Sequence, residues 1–389
     1  MKRLLTLFGR GGALLLAALL SSCVLASCSQ QGNGGEESTS GTAQPGETTG
    51  PVEKMDFADM DLTPYVSLGQ YKNIEVSVPE MDYLVSLREV LLKDGAYFEK
   101  EKEGEIFVKE GDIINVDYTG YLNGVAFEGG KASNQDITVY DGKGYIDGFA
   151  TGFIGAKVGE KSEFNVTFPE DYGEETLAGK EVTFEFELNH IYIFDELTDE
   201  MATDLSKGAY PTAEEYEAYQ RSLLVQAAVW PIIVENATVK TYPEQQLQYY
   251  YRQNRNYYEY YAALYDMSYT EFLAAMGLSD AKLYESAKLY VEEDLVYYAI
   301  RNIENIVLTE EEYNARIDSY TDRYKDEFGY TDSEIRENLA AIEDNMLYDK
   351  VQETIVGWAV VTWTGAENTD GGAETPAETT PESTADTAE

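Results

Sequence analysis

The chain has 389 residues, enough for one large or two ordinary domains. Its formal net charge is −44 at pH 7, a surface that repels phosphate backbones and excludes nucleic acid as a partner. It has two cysteines, Cys23 and Cys28, and one histidine, His190. A disulfide framework, a cysteine or histidine metal site and a Ser-His or Cys-His nucleophile pair are therefore not expected, and no cofactor is either.

The first residues have the form of a secretory signal. Lys2, Arg3 and Arg10 precede an apolar run, Gly11 to Leu20, too short to span a bilayer as a mature helix. Small residues and a cysteine follow twice, as "LSSC" ending at Cys23 and "LASC" ending at Cys28. Both have the pattern of a bacterial lipobox, in which the thiol receives a diacylglyceryl group. Cys28 is favoured, with Cys23 the alternative, because polar low-complexity sequence begins directly after it. Residues 1–28 thus read as a lipoprotein signal and 29–58 as an acidic tether of Gly, Ser, Thr, Glu and Gln, too poor in apolar side chains to fold. The segment 365–389 has the same character. The expected location is outside the cytoplasmic membrane, with lipid as the anchor.

Between these ends the patterning is globular and of α+β class. "YKNIEVSVPE" (71–80) alternates as a short strand, and "MDYLVSLREVLLKDG" (81–95) has helical spacing, with Leu84, Leu87, Val90 and Leu91 on one stripe. From Gly111 the period becomes two. Ile114, Val116 and Tyr118 share one face, with Asn115 and Asp117 on the other, and Asn123-Gly124 signals a hairpin. Phe164, Val166 and Phe168 form one alternating set, and Val182, Phe184, Phe186 and Leu188 another. The spacing over Ile146–Lys157 predicts a short helix across a curved antiparallel sheet. From Pro211 five to seven helices are expected, with capping-box pairs Thr212/Glu215, Ser268/Glu271, Thr309/Glu312 and Thr331/Glu334. Pro231 and Pro243 mark breaks or helix starts.

Carboxylates are too abundant for any pair of them to signal acid–base catalysis. What remains is aromatic: Tyr118, Phe127, Phe149, Tyr172 and Phe184, with Ile146 among them. On periodicity alone these are the core of the β-rich unit.

Three ordered strings change that reading: "GDIINVDYTGYLNGVAFEGGKAS" (111–133), "YIDGFATGFIGAKVGEK" (145–161) and "VTFPEDYGEETLAGKEVTFEFEL" (166–188). They resemble the FKBP family of peptidyl-prolyl isomerases. "FEGGKAS" and the "FPEDY…LAGK" arrangement are most like its trigger factor branch. The segment 68–80 with its following helix, and the helices from 195, resemble the parts of trigger factor that flank its isomerase. The resemblance implies a strand-and-helix segment at 59–105 packed with the C-terminal helices, an isomerase domain at 106–194, and a helical chaperone domain at 195–364. The family's ribosome-docking domain has no counterpart here, so no ribosome is expected as a partner. Unfolded or proline-containing secreted polypeptides are the expected clients.

By that resemblance Phe149 is the floor of a proline pocket and Tyr118, Phe127 and Phe184 its walls. Ile146 offers a backbone N–H to the substrate carbonyl and Tyr172 a hydroxyl. Gly173 and Gly179 let the Tyr172 loop close. Glu128 stands where many FKBPs have Asp. Ile137 takes the place of an aromatic wall residue, and Asp147 that of a frequent Pro.

The segment 247–273 is rich in tyrosine. Leu247, Tyr250, Tyr257, Tyr258, Tyr261 and Leu264 form a helical stripe, read equally well as packing on two sides or as rings offered to unfolded clients. Two functions stay open. One is an anchored foldase. The other is a non-catalytic client-binding chaperone lipoprotein with a vestigial pocket.

Overall fold

The computed structural model describes residues 52–100 and 106–365. The signal, the lipobox cysteines, the tether up to residue 51 and the tail from 366 lie outside the described residues.

The chain enters through residues packed against the helical part of the molecule. Phe57 is fully buried, its ring 5.5 Å from that of Tyr298, and its carbonyl accepts from Asn302 Nδ2 at 3.0 Å. The Met55 N–H donates to Gln246 Oε1 at 2.8 Å. The unstructured tether expected through residue 58 therefore ends earlier. Phe57 supplies most of the buried apolar area of this entering segment, with Met55 and Met60 packed beside it.

β1 (Val66–Ser67) and β2 (Glu75–Pro79) follow. Pro79 then starts helix α1 (Glu80–Asp94), whose first turn carries Glu80 and Asp82 and whose last turn carries Lys93, matching the helix dipole. Gly95, at φ 80°, stops it and returns its N–H to Leu91 and Leu92. The helix buries Tyr83, Val85 and Leu91, while Leu84, Leu87 and Val90 are only half-buried. One stripe is not enough because α1 is clasped from more than one side, by β2, by the sheet and by a later helix.

β3 (Tyr97–Lys100), β4 (Ile113–Leu122), β5 (Val125–Thr138), β6 (Lys161–Thr167) and β7 (Glu181–Phe194) form one antiparallel sheet in the order β3-β7-β4-β5. β7 is its centre. β4 runs along one side of β7; on the other, β6 pairs with residues 181–187 and β3 with 191–194. Asn123 and Gly124, both at positive φ, close the two-residue turn between β4 and β5 as expected.

Two local expectations are corrected. Asn115 does not face solvent: it is 3% exposed, donates to Asp136 Oδ1 at 2.6 Å and accepts from Asn189 Nδ2 at 2.9 Å. Asp136 is its ladder partner on β5, and the register shift that leaves Asn189 of β7 unpaired beside it supplies the second. Ile146–Lys157 forms no α-helix, only one 3₁₀ turn at Thr151–Phe153. Gly148 and Gly155, at φ 83° and 85°, bound it with left-handed backbone.

Helices α2 (Asp199–Leu205), α3 (Ala213–Asn236), α4 (Glu244–Leu264), α5 (Tyr269–Ala275), α6 (Asp280–Glu304), α7 (Glu310–Phe328), α8 (Asp332–Glu337) and α9 (Leu339–Trp358) follow, with β8 (Thr238–Val239) between α3 and α4 and β9 (Val360–Thr364) at the end. Ser268, Thr309 and Thr331 form full capping boxes, and Thr212 caps in one direction. Pro231 does not break α3; it lies on the exposed side, where losing one backbone bond is tolerable. The tyrosine-rich segment is two helices, because Asp266 adopts φ 54° and the Ser268 capping box starts afresh.

One core joins the two ends of the described chain. Phe57, Leu62, Val66, Val76 and Val78 pack with Val229 and Ile233 of α3, Val291 and Leu295 of α6, and Val351 and Ile355 of α9. β2 pairs in parallel with β9, from Glu75↔Val360 to Pro79↔Thr364. The five-stranded sheet is thus inserted into a helical unit made from both sides of it. At the junction Arg221 of α3 hydrogen-bonds both oxygens of Glu80, and its guanidinium lies 4.0 Å from the Tyr83 ring and 4.6 Å from Trp363.

Two outcomes are expected. Phe57→Ala should destabilise the helical unit by about 3–5 kcal/mol in urea denaturation; a loss under about 1 kcal/mol would mean that the entering segment is peripheral. Glu293, beside Asp294 on α6, has its carboxyl pushed up from 4.5 to about 7, chiefly by burial and then by Asp294 and Glu292. A raised carboxyl gives stability that is present below about 4.5 and is lost as pH rises through about 7. Glu293→Gln should therefore be more stable than the parent at pH 8 and lose that advantage towards pH 4.5, read from paired thermal melts.

Candidate functional site

The inner face of the sheet carries the aromatic side chains. β4 presents Tyr118, opposite Phe186 on β7 and Ala132 on β5. Phe184 lies across from Phe164 of β6. Phe149, delivered by the turn before Thr151, is the hub. Its ring centroid is 4.8 Å from Phe184, 5.3 Å from Tyr118, 5.5 Å from Phe153 and 5.8 Å from Phe164, in every case edge to face. Such pairs are favoured over flat sandwiches because the positive ring edge meets the negative face. Phe127 joins through Phe184 at 5.9 Å and Phe168 at 6.0 Å.

Glycine makes room for these rings. A Cβ on Gly120 or on Gly130 would fall 2.5 Å from the Phe127 ring, and one on Gly152 2.5 Å from the Phe164 ring. Here strand glycines mark close approach of a ring to the backbone.

Two loops bound the cluster. The first runs 139–150, where Asp141 accepts from the Gly148 N–H at 3.3 Å and from Thr151 Oγ1 at 3.2 Å. The Phe149 N–H returns to the Ile146 carbonyl at 3.1 Å, and Tyr145 stacks on Phe149 at 4.9 Å. The Ile146 N–H has no hydrogen-bond partner among the described residues. The second loop joins β6 to β7. Phe168 N–H donates to Lys180 O at 2.9 Å, and the Tyr172 and Gly179 N–H groups both turn back to the Pro169 carbonyl. Tyr172 leans on Phe168 at 4.5 Å, and its hydroxyl has no hydrogen-bond partner among the described residues. Gly179 adopts φ 65°; Gly173 has ordinary backbone, so only one of the two glycines expected to shape this loop is needed for it.

The result is a buried floor and a half-open rim. Phe149, Phe184 and Phe168 are 4–6% exposed, whereas Tyr118, Phe127, Tyr145, Ile146 and Tyr172 are half-buried around them. Burial pushes the Tyr118 and Tyr145 hydroxyls up, so both rims stay neutral. Six of the expected positions therefore come together: Tyr118, Phe127, Ile146, Phe149, Tyr172 and Phe184.

Others do not. Glu128 is exposed and makes no hydrogen bond to Tyr118 among the described residues. Ile137 is 1% exposed, across the ladder from Ile114, so it packs in the core rather than at the rim. Tyr250 is tied into the helical unit, its hydroxyl 2.6 Å from Asp294, with the Tyr290 ring 5.2 Å away. Tyr257, Tyr258 and Tyr261 remain half-exposed and touch one another, Tyr257 to Tyr261 at 4.7 Å. They lead to a tip where Leu264 and Tyr265 are 61% and 67% exposed. Tyr145 and Phe168 belong to the cluster but were not singled out by sequence. The available signal was their adjacency to Ile146 and to the Pro169 turn.

A hollow of about 540 Å³ opens on the other face of the same sheet, against Asp117, Thr119, Lys131, Lys161, Glu185 and Glu187. Charged side chains predominate in that lining, although Tyr118, Ala132 and Phe186 also border it. The residues that can desolvate a ligand are on the ring-lined side.

Residues 104–189 match the family of FKBP-type peptidyl-prolyl cis-trans isomerases. The chain is 30% identical over 323 residues to the trigger factor of Macrococcus caseolyticus, covering 77% of this chain and 74% of that protein. To the trigger factor of Desulforamulus reducens it is 32% identical over 331 residues, covering 77% and 73%. A solved structure concerned with promiscuous substrate recognition by the trigger factor chaperone aligns over 75% of this chain and 72% of that one, at 17% identity and a TM-score of 0.27, too low to support an argument. With the ring-lined sheet inside the FKBP match and this identity running through the helices on both sides, the chain belongs to the trigger factor family and contains an FKBP-type isomerase domain.

Proposed function

We propose that the protein is a peptidyl-prolyl cis-trans isomerase and chaperone that assists the folding of secreted polypeptides outside the cytoplasmic membrane, held there by lipid on Cys28. The observation that carries the enzymatic reading is the convergence of Tyr118, Phe127, Phe149 and Phe184 below an Ile146 N–H and a Tyr172 hydroxyl that have no hydrogen-bond partner among the described residues.

Rotation about an X-Pro bond is opposed by a resonance barrier of about 18–20 kcal/mol, although trans and cis differ by only about 0.5–1 kcal/mol. No nucleophile is needed. A catalyst has to bind the twisted amide better than either planar form. Twisting decouples the nitrogen lone pair from the carbonyl and reduces charge separation, so a site that strips water from the amide favours the twisted form. The proline ring would rest on Phe149, between Tyr118, Phe127 and Phe184. The Ile146 N–H would fix the preceding carbonyl, and the Tyr172 hydroxyl would hold the peptide across the rim. Each donor is preorganised, so nothing has to reorganise as the bond turns.

The exposed tip at Leu264 and Tyr265, with Tyr257, Tyr258 and Tyr261 behind it, supports a holding role alongside. Tyrosine offers an apolar body and a wet hydroxyl, so contact is sequence-tolerant. Should the pocket be inactive, this tip carries the second reading, a client-binding chaperone alone. Placement away from the ribosome is supported by the low-complexity acidic sequence of 29–51.

The wild-type chain should isomerise a Phe-Pro peptide above the buffer rate. Phe149→Ala should lower kcat/KM by at least about tenfold and Tyr172→Phe by about two- to tenfold, with both variants folded. A folded wild type with no rate above buffer rejects the enzyme. For the anchor, cells fed an alkynyl fatty acid should label the wild type and not Cys28→Ala. Loss of label only in Cys23→Ala moves the anchor to Cys23, and label retained in both removes it.

A further inference from the structure

Helix α1 lies outside residues 104–189, yet its polar side chains reach the isomerase sheet at several points. Glu89 accepts from Thr138 Oγ1 at 3.1 Å through Oε1 and pairs with Lys143 Nζ at 3.0 Å through Oε2. Asp82 accepts from the Tyr140 hydroxyl at 2.5 Å. Arg88 donates to the Gly111 carbonyl at 2.6 Å and pairs with Asp112 at 3.2 Å. Met81 Sδ sits where a Cβ on Gly111 would be. Gly111 in turn is bonded to Val139, the residue at which β5 gives way to the loop.

The Glu89 and Asp82 contacts fall on one stretch, Thr138 to Lys143, and the Arg88 and Met81 contacts on Gly111 and Asp112 beside it. That stretch leads directly into Tyr145 and Ile146. The loop has little to fix it from within: Gly142 and Gly144 flank Lys143 at φ 83° and 87°, with nothing within 4 Å of where their Cβ atoms would be. Asp141 holds its far side, at Gly148 and Thr151. On the near side two backbone bonds, Gly111 N–H to Val139 O and Val139 N–H to Asp112 O, hold the end of β5, and the side-chain fasteners beyond them, on Tyr140 and Lys143, come from α1.

We infer that Asp82 and Glu89 of α1 are positioning residues for the isomerase site, setting the loop that carries Tyr145 and Ile146 through Tyr140 and Lys143. Neither touches the pocket. They act by fixing where the Ile146 N–H points, and a donor displaced by about 1 Å is worth little to a substrate held between rigid rings. The same helix is gripped at its start by Arg221, through Glu80 and Tyr83. One rigid rod therefore runs from the helical unit to the catalytic loop, and the geometry of the site is set partly by a segment that the isomerase fold itself does not contain. This rests on the isomerase reading proposed above.

The test uses the full chain and two readouts. Glu89→Gln, Tyr140→Phe and Lys143→Met should each lower kcat on a Phe-Pro peptide by about three- to tenfold, with KM within about twofold and the thermal midpoint unchanged, because the rings that bind proline are untouched. The Glu89→Gln/Lys143→Met double variant should be no worse than either single, and the charge-reversed pair Glu89→Lys/Lys143→Glu should recover most of the loss. Independently, hydrogen exchange of a peptide spanning 140–149 should speed up about tenfold in the single variants. Unchanged exchange overturns the inference whatever the activity. So do singles with wild-type kcat in an active protein, or losses that multiply in the double. An inactive wild type counts against the function proposed above, and the exchange measurement still decides the role of α1.

Discussion

The parallel pairing of β2 with β9 is the constraint from which the remaining architecture follows. A strand near the start of the described chain and the last strand before its end must lie side by side, from Glu75↔Val360 to Pro79↔Thr364. Parallel strands cannot be joined by a tight turn and need a long crossover. Here the crossover is everything between them: the inserted sheet and the helices α1 to α9. The helices bury Val76 and Val78 from one side, so the pair does not stand as an isolated two-stranded ribbon, which water would not tolerate. Because β2 runs straight into α1 at Pro79, fixing β2 also fixes the rod on which the isomerase sheet is mounted. Arg221 completes that fixture with two hydrogen bonds to Glu80 and a cation over Tyr83 and Trp363. Burial is only partial there. The ring contacts and the bidentate geometry therefore matter more than the bare charge pair, which water screens.

Within the sheet, the controlling balance is between packing and access. Edge-to-face rings around Phe149 fill the interior, and glycines at 120, 130 and 152 remove the side chains that would keep those rings away from the backbone. A well-filled interior would leave nothing to bind with if it closed over completely. It does not, because the two loops place their polar groups at the edge and leave ring faces half-covered. Tyr118 and Tyr172 illustrate the difference. Tyr118 is held in a ring cluster that raises its hydroxyl above its ordinary range by burial. Tyr172 sits on Phe168 at the lip, its hydroxyl without a hydrogen-bond partner among the described residues. One ring is packed into the cluster and the other lies at its edge, although both are tyrosines in the same domain.

Much of this was legible in the sequence because it is written in period and punctuation. Alternation located β4, β6 and β7, Asn123-Gly124 located the hairpin from β4 to β5, and S/T-x-x-E pairs located the starts of α5, α7 and α8. The misreadings have a common physical cause: long-range partners override local pattern. Asn115 alternates like a solvent residue, yet it is covered by its ladder partner Asp136 and by Asn189 at a bulge in β7, which no local rule anticipates. Ile146–Lys157 has helical spacing, but Gly148 and Gly155 take left-handed backbone and leave one turn. Phe57 stands in polar surroundings and is buried all the same, because its partners Tyr298 and Asn302 are far along the chain. The ring cluster was visible as residue types; the depth of each ring was not. Ile137 and Phe127 looked equivalent as wall positions, and only the ladder register puts one in the core and leaves the other at the rim.

The tyrosine-rich helix shows how composition and charge divide one element between two tasks. At its start Gln246 and Tyr250 both donate to Asp294, a carboxylate 5% exposed that would be costly to bury unpaired. Four turns later the same helix carries Tyr257, Tyr258 and Tyr261 half in water and ends at an exposed Leu264. A leucine stripe along that outer half would be a permanent apolar patch on a chain free to meet copies of itself. Tyrosine keeps each ring tip hydrated, and a net charge of −44 keeps copies apart at long range. The same charge attracts basic side chains, and the tyrosine rings meet the apolar segments that an unfolded chain exposes and a folded one hides. An acidic surface that bears tyrosine rather than leucine is therefore suited to holding such segments briefly without aggregating with its own kind.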